Sequence, residues 1–209
     1  MGNVPEARTG PASRDSLIRK TVLRRLLRGE PVDAASLAAE ANCSAPAVAE
    51  ALARLSASGA LYLADGAVTA AYPLSAVPTD HRVSLDGAEV YACCAIDALA
   101  VPAMAGGTGT IESRCASCGA GIAIEMKDDL VVSSRPQRPV VFHVARECCE
   151  TGPAVLTRCP RINFFCEPDH LSRWRAAHPS LAGDVLALAP AVRRAQEIFG
   201  PAIGLVREP

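Results

Sequence analysis

Apolar positions in the first third of the chain recur at helical spacing. Leu17, Ile18, Val22, Leu23, Leu26 and Leu27 fall on one face and predict a helix from Ser16, stopped by Gly29 and Pro31. Asp33 is placed to cap a second, short helix that turns Leu37 and Ala38 inward. Cys43 and Ser44 mark a turn, and Ser44 is a good N-cap for a third helix carrying Val48, Leu52 and Leu55 at i, i+4 and i+7. Ser58-Gly59 ends it. Two short apolar runs, 61–63 and 68–72, flank Asp65-Gly66 and predict a hairpin.

Past a Pro-bounded stretch, 73–78, that reads as a linker, the period changes. Residues 81–85 alternate as a strand does, and Asp86-Gly87 signals a turn. The run 89–101 is apolar with Asp97 inside it. Helical spacing fits Val90, Cys94, Asp97 and Val101, so a helix is expected there. Short β-branched runs at 111–113, 120–126, 130–133 and 140–145, with another strand-like run at 161–166, predict an antiparallel sheet. Residues 170–177 and 187–199 predict two further helices, the second interrupted by Pro190. The expected architecture is α+β. A tail over residues 1–15 precedes a winged helix-turn-helix-like module over 16–78, followed by a small antiparallel-sheet domain with flanking helices over 79–209.

A winged module raises the question of DNA. The expected recognition helix contains Glu50 and one basic residue, Arg54, and residues 1–80 hold eight basic and eight acidic side chains. Phosphate contacts need Lys and Arg, so this module reads as scaffold and DNA is not expected as a partner. The whole chain of 209 residues has a formal net charge of −1, which offers no general attraction to nucleic acid or anionic membrane. Its apolar fraction of 50% excludes a mostly disordered chain. No apolar run approaches the roughly 18 residues of a transmembrane span. No secretory signal is visible near the N-terminus, so a reducing, cytoplasmic setting is expected.

In that setting nine cysteines need a reason. Cys94 and Asp97 are three apart. If helical they share a face, where a carboxylate can take a thiol proton and later return it; a buried thiol beside a solvated carboxylate is the alternative. Cys115-Ala116-Ser117-Cys118-Gly119 is half of a zinc knuckle or a redox pair. His143 with Cys148-Cys149 is the nearby candidate for completing it, although adjacent cysteines chelate poorly; a turn with partly buried thiols is the other reading. Cys159 precedes the strand carrying Phe164-Phe165, and Arg158 and Arg161 would stabilise its thiolate if they face it. Packing suffices for Cys43 and Cys166, and His170 and His178 read as solvated.

The segment Tyr91-Ala92-Cys93-Cys94-Ala95-Ile96-Asp97-Ala98-Leu99, followed by Pro102-Ala103, resembles the Tyr-Ala-x-Cys-Ala-x-Asp-x-Leu stretch of the organomercurial (alkylmercury) lyases. Ser113-Arg114-Cys115 with Gly119, Cys159 shortly before Phe164-Phe165, and the helix of Trp174 follow in the order that family shows. The resemblance runs from about residue 16 to 200. It departs at Cys93, where the family can carry Trp, and at Pro160, where it can carry a second Cys; Cys118, Cys148 and Cys149 have no place in the pattern. The resemblance implies that Cys94, Asp97 and Cys159 are catalytic and that Cys115 is structural. It also implies cleavage of carbon–mercury bonds by protonolysis to a hydrocarbon and Hg(II), held by Cys94 and Cys159 beside Asp97. No cofactor is implied beyond external low-molecular-weight thiols, and a mercuric reductase is a candidate recipient of the product. Soft thiolates suit a soft metal, which agrees independently. A non-catalytic, thiol-rich metal-binding or metal-sensing protein on the same scaffold is the alternative, and the lyase fold with another organometal or thiol substrate is a third.

Overall fold

The computed structural model describes residues 11–149 and 151–206. The chain opens with α1 (Pro11–Leu27), α2 (Ala34–Glu40) and α3 (Ala45–Ala57). Helix α1 begins ahead of the Ser16 start that periodicity predicts; the rest of the expected tail, residues 1–10, lies outside the described residues. Its buried face is Ile18, Val22, Leu23 and Leu26, whereas Leu17 is exposed. Gly29 closes α1 in the left-handed region at φ +67°, where glycine bears no Cβ penalty. Asp33 caps α2 as expected: the Ser36 N–H donates to its carboxylate at 2.9 Å. Ser44 stands at the N-cap of α3, but its side chain makes no capping bond.

The hairpin forms as β1 (Leu61–Ala64) and β2 (Ala67–Ala71). It is not a free wing. The stretch expected to be a linker contains a two-residue strand, β3 (Leu74–Ser75), which pairs with β2 on one side and with β5 (Ala88–Ala92) on the other. Two residues are too few to show a period. Through β3 the hairpin joins an antiparallel sheet of eight strands, completed by β4 (Arg82–Leu85), β6 (Gly109–Arg114), β7 (Gly121–Lys127) and β8 (Leu130–Arg135), in the order β1-β2-β3-β5-β4-β6-β7-β8.

The helix expected over 89–101 is corrected. Its first part is strand β5, and α4 begins only at Ala95 and runs to Met104. The cause is the two-residue turn Asp86-Gly87, which folds the chain back so that Val83 pairs with Val90 and Leu85 with Ala88. All ten residues of α4 are buried. A helix apolar on every side needs cover on every side. The strands β4, β5 and β6 supply it, together with helix α7 (Leu188–Val206) and a second sheet. Pro190 does not interrupt α7; it sits in the first turn, where its missing N–H has no helical partner to lose.

The second sheet has three strands in the order β10-β9-β11. Central β9 (Val140–Val144) is buried at every position, flanked by β10 (Asn163–Phe165) and β11 (Gly183–Ala187). Strand β11 has no counterpart among the predicted elements. Gly183 sits where a Cβ would fall 2.5 Å from the His143 carbonyl oxygen. Between β9 and β10 the chain forms α5 (Ala154–Thr157) and a 3-10 turn, Cys159–Arg161. Helix α6 (Pro168–Ala177) follows β10 and brings Trp174 against Phe142 and Phe165. No helix among the described residues is long and apolar enough to cross a membrane.

Candidate active site

Cys94 is not on a helix face but at the helix start. It is the N-cap of α4, in extended conformation, and its Sγ accepts the Asp97 N–H at 3.4 Å. The i, i+3 spacing is therefore a capping relation, which turns the thiol and the Asp97 carboxylate toward the same end of α4. Cys159 arrives from the other side. The Ala95 N–H donates to the Ile162 carbonyl at 3.1 Å, tying the 3-10 turn to the first turn of α4. The Cys159 thiol then donates to Asp97 Oδ2 at 3.8 Å. The sulfur atoms of Cys94 and Cys159 and a carboxylate oxygen of Asp97 all lie within 4.8 Å of one another. The three residues singled out in the sequence thus meet at one point.

Burial dominates the electrostatics here. Asp97 is 3% exposed, and burial pushes its pKa up to about 7, against the pull of thiol hydrogen bonds from Cys94 and Cys159 and of the Arg158 charge. The Cys94 thiol is raised well above its ordinary value by burial first, then by its thiol neighbour and Asp97. The site therefore favours neutral groups and holds a proton near neutral pH. It opens on a cleft of about 380 Å³ whose wall includes Tyr72, His143 and Arg158, with Ile198 and Phe199 from α7. This cleft shares Gly59, Tyr72, Ala154 and Arg158 with a larger neighbouring one of about 810 Å³.

Several side chains settle where sequence left alternatives. Arg158 faces the cleft, and its buried Nε has no hydrogen-bond partner. Arg161 is turned away and donates to the Thr157 carbonyl. The Cys93 thiol donates to the Leu74 carbonyl at 3.3 Å, and burial first, then the nearby Asp97 and Cys159, raise its pKa. Tyr72 was not anticipated. Its hydroxyl accepts the Val155 N–H at 2.9 Å, holding α5 against the cleft. His143 bonds through Nδ1 with Arg194 at 3.2 Å. Cys148 accepts the Ala182 N–H, and Cys149 donates to the Ala145 carbonyl. His178 stacks on Trp174 at 4.1 Å between centroids. Arg54 of α3 is bound by Asp15 and Glu50.

A second group lies elsewhere. Cys115, Cys118, Cys166 and His170 bring their ligand atoms within 4.8 Å of one another. The knuckle half Cys115-x-x-Cys118 thus meets Cys166 and His170, not His143 and Cys148-Cys149, and Cys166 does more than pack. The missed signal is the Cys-x3-His spacing of Cys166 and His170.

The alkylmercury lyase family model, MerB, matches residues 74–200. An alkylmercury lyase of Staphylococcus epidermidis is 32% identical over 160 residues, covering 77% of this chain and 72% of its own. One of Streptomyces lividans is 30% identical over 172 residues, covering 81% and 77%. Among solved structures, the mercury-bound form of MerB2 superposes with a TM-score of 0.77 at 24% identity, covering 90% of each chain; that likeness speaks for the fold. With the family model matching more than half of the chain, from β3 into α7, this protein belongs to the alkylmercury lyase family.

Proposed function

We propose that the protein cleaves carbon–mercury bonds by protonolysis, with Cys94 and Cys159 as mercury ligands and Asp97 as the proton carrier. One observation carries the reading: two thiols and one carboxyl group meet within 4.8 Å, buried, at the head of a cleft. Burial places the Asp97 pKa at about 7, so the carboxyl group can take a proton and return it without a large energetic penalty at either step.

The substrate is an organomercurial carrying a small external thiolate, R–Hg–SR′. Asp97 takes the proton of one thiol. The resulting thiolate bonds to mercury and displaces R′S⁻, which leaves as R′SH with the proton of the second thiol. Mercury then holds R and both cysteine sulfurs, and the added electron density weakens the carbon–mercury bond. The electron pair of that bond takes the Asp97 proton, and R–H departs. Two thiol protons are consumed, one on carbon and one on the external thiol, and Hg(II) remains on Cys94 and Cys159. External thiols then remove it, restoring both protons. Mercury is here substrate and product, and the step needs no redox partner. The apolar side chains of Ile198 and Phe199 suit an alkyl or aryl R group.

The test is hydrocarbon release from phenylmercury or methylmercury with excess thiol. Wild-type protein should release benzene or methane stoichiometrically with Hg(II). A protein that binds the organomercurial tightly but releases no hydrocarbon is a sequestering or sensing protein and refutes the proposal.

A further inference from the structure

We propose that Cys115, Cys118, Cys166 and His170 form a four-ligand zinc site separate from the mercury site. The group is assembled by design of the chain around it. The turn after β6 closes on itself, with the Cys115 N–H donating to Ala120 and the Gly119 N–H donating to Cys115, both at 2.8 Å. Gly119 takes φ +73°, which glycine tolerates and which lets Cys118 curl back toward Cys115. The Ala116 N–H donates to the Phe164 carbonyl at 3.1 Å, bringing the end of β10, and hence Cys166, beside the turn. His170 enters from the first turns of α6.

The distances suit a tetrahedral ion. Zn–S and Zn–N bonds of about 2.3 and 2.05 Å give tetrahedral edges of about 3.8 Å between sulfurs and about 3.6 Å between sulfur and nitrogen. Cys118 Sγ and Cys166 Sγ are 3.7 Å apart, and Cys115 Sγ is 3.7 Å from His170 Nδ1. The Cys166–His170 edge, at 2.7 Å, is shorter than a tetrahedral edge, and admitting the ion requires it to lengthen by about 0.9 Å. The imidazole is oriented as a ligand's is. Nδ1 faces the sulfurs while Nε2 meets Glu167 Oε1 at 3.1 Å, the outer carboxylate that fixes the ring and strengthens the donor.

Three thiolates and one imidazole, with all four positions taken by protein, make a closed structural set that suits Zn(II). Its ligands come from two distant parts of the chain. The ion would clip the β6–β7 turn to the segment that runs from Cys159 through β10 into α6, holding β10 and the Cys159 turn that leads into it in place.

Metal analysis of protein purified anaerobically under reducing conditions tests this. The expected result is about one zinc per chain, replaceable by Co(II) with the absorption of a tetrahedral thiolate site. Cys118→Ala and His170→Ala should lose the ion, and the Cys94→Ser/Cys159→Ser double variant should keep it. Glu167→Gln, an exposed change that leaves all four ligands in place, should weaken zinc binding by about 10-fold or more. Folded wild-type protein that neither contains zinc nor takes up Zn(II) or Co(II) overturns the proposal. So does zinc that stays in Cys118→Ala and His170→Ala but leaves with Cys94 and Cys159, or a Cys118–Cys166 disulfide that persists under reducing conditions.

Discussion

Replacing Asp97 by asparagine keeps the side-chain shape and removes its charge. Burial raises the carboxyl pKa from 3.8 to about 7, so the folded state binds the proton more tightly than the unfolded chain. Below pH 3.8 both states are protonated and the group contributes nothing. As pH rises toward 7 the unfolded chain ionises first, and the folded state loses relative stability. Above 7 both are ionised and the cost is constant. Three pKa units at about 1.4 kcal/mol each give a cost of about 4 kcal/mol. Asp97→Asn escapes it. Its stability relative to wild type should therefore climb by about 4 kcal/mol between pH 4 and pH 7.5 and then level off. Lost thiol hydrogen bonds to Asp97 shift the two curves by a constant and leave the slope untouched. Denaturant unfolding of both proteins, under reducing conditions across that range, reads the difference directly; groups that do not interact with Asp97 cancel, and the raised Cys93 and Cys94 thiols stay protonated throughout. A difference that stays flat with pH refutes a raised Asp97 pKa, and with it the proton-carrier role.

The same group should shape the kinetics: kcat/KM should rise with pH through a limb near 7 as the carboxylate forms. In Arg158→Gln, which removes a charge that lowers the Asp97 pKa, the limb should move to higher pH; a pH–rate profile checks both. Gly183→Ala should destabilise the fold by about 1–3 kcal/mol in guanidinium titration, because its Cβ would meet the β9 backbone at 2.5–2.8 Å.

The pair Cys94 and Asp97 was legible from spacing, although the helix expected around it was half wrong. A continuous apolar run fits strand and helix alike, and only the preceding Asp86-Gly87 turn obliges residues 88–92 to pair back on β4. Cys159 could be tied to them only by resemblance, since the Ala95–Ile162 hydrogen bond that joins the two segments spans a long stretch of chain. Tyr72 and the α7 residues Ile198 and Phe199 carry no local signal of their place at the cleft; they reach it by tertiary packing. Strands β3 and β11 were missed for similar reasons. The first is two residues long, and the second, Gly-Asp-Val-Leu-Ala, alternates weakly and borrows its order from β9. Cys166 and His170 stand four apart in sequence, Cys166 just ahead of α6 and His170 in its first turn, but no local pattern ties them to Cys115 and Cys118 about fifty residues earlier.

Hydrocarbon release measured on wild type, Cys94→Ser, Cys159→Ser and Asp97→Asn, with folding checked for each, tests the central claim most directly. Each serine variant should fall to the background rate of thiol alone, and Asp97→Asn should lose about 10²–10⁴-fold while still taking up organomercurial. Wild-type rates in any one of the three variants would contradict that residue's role, and wild-type rates in both serine variants would remove the two-thiolate mechanism altogether.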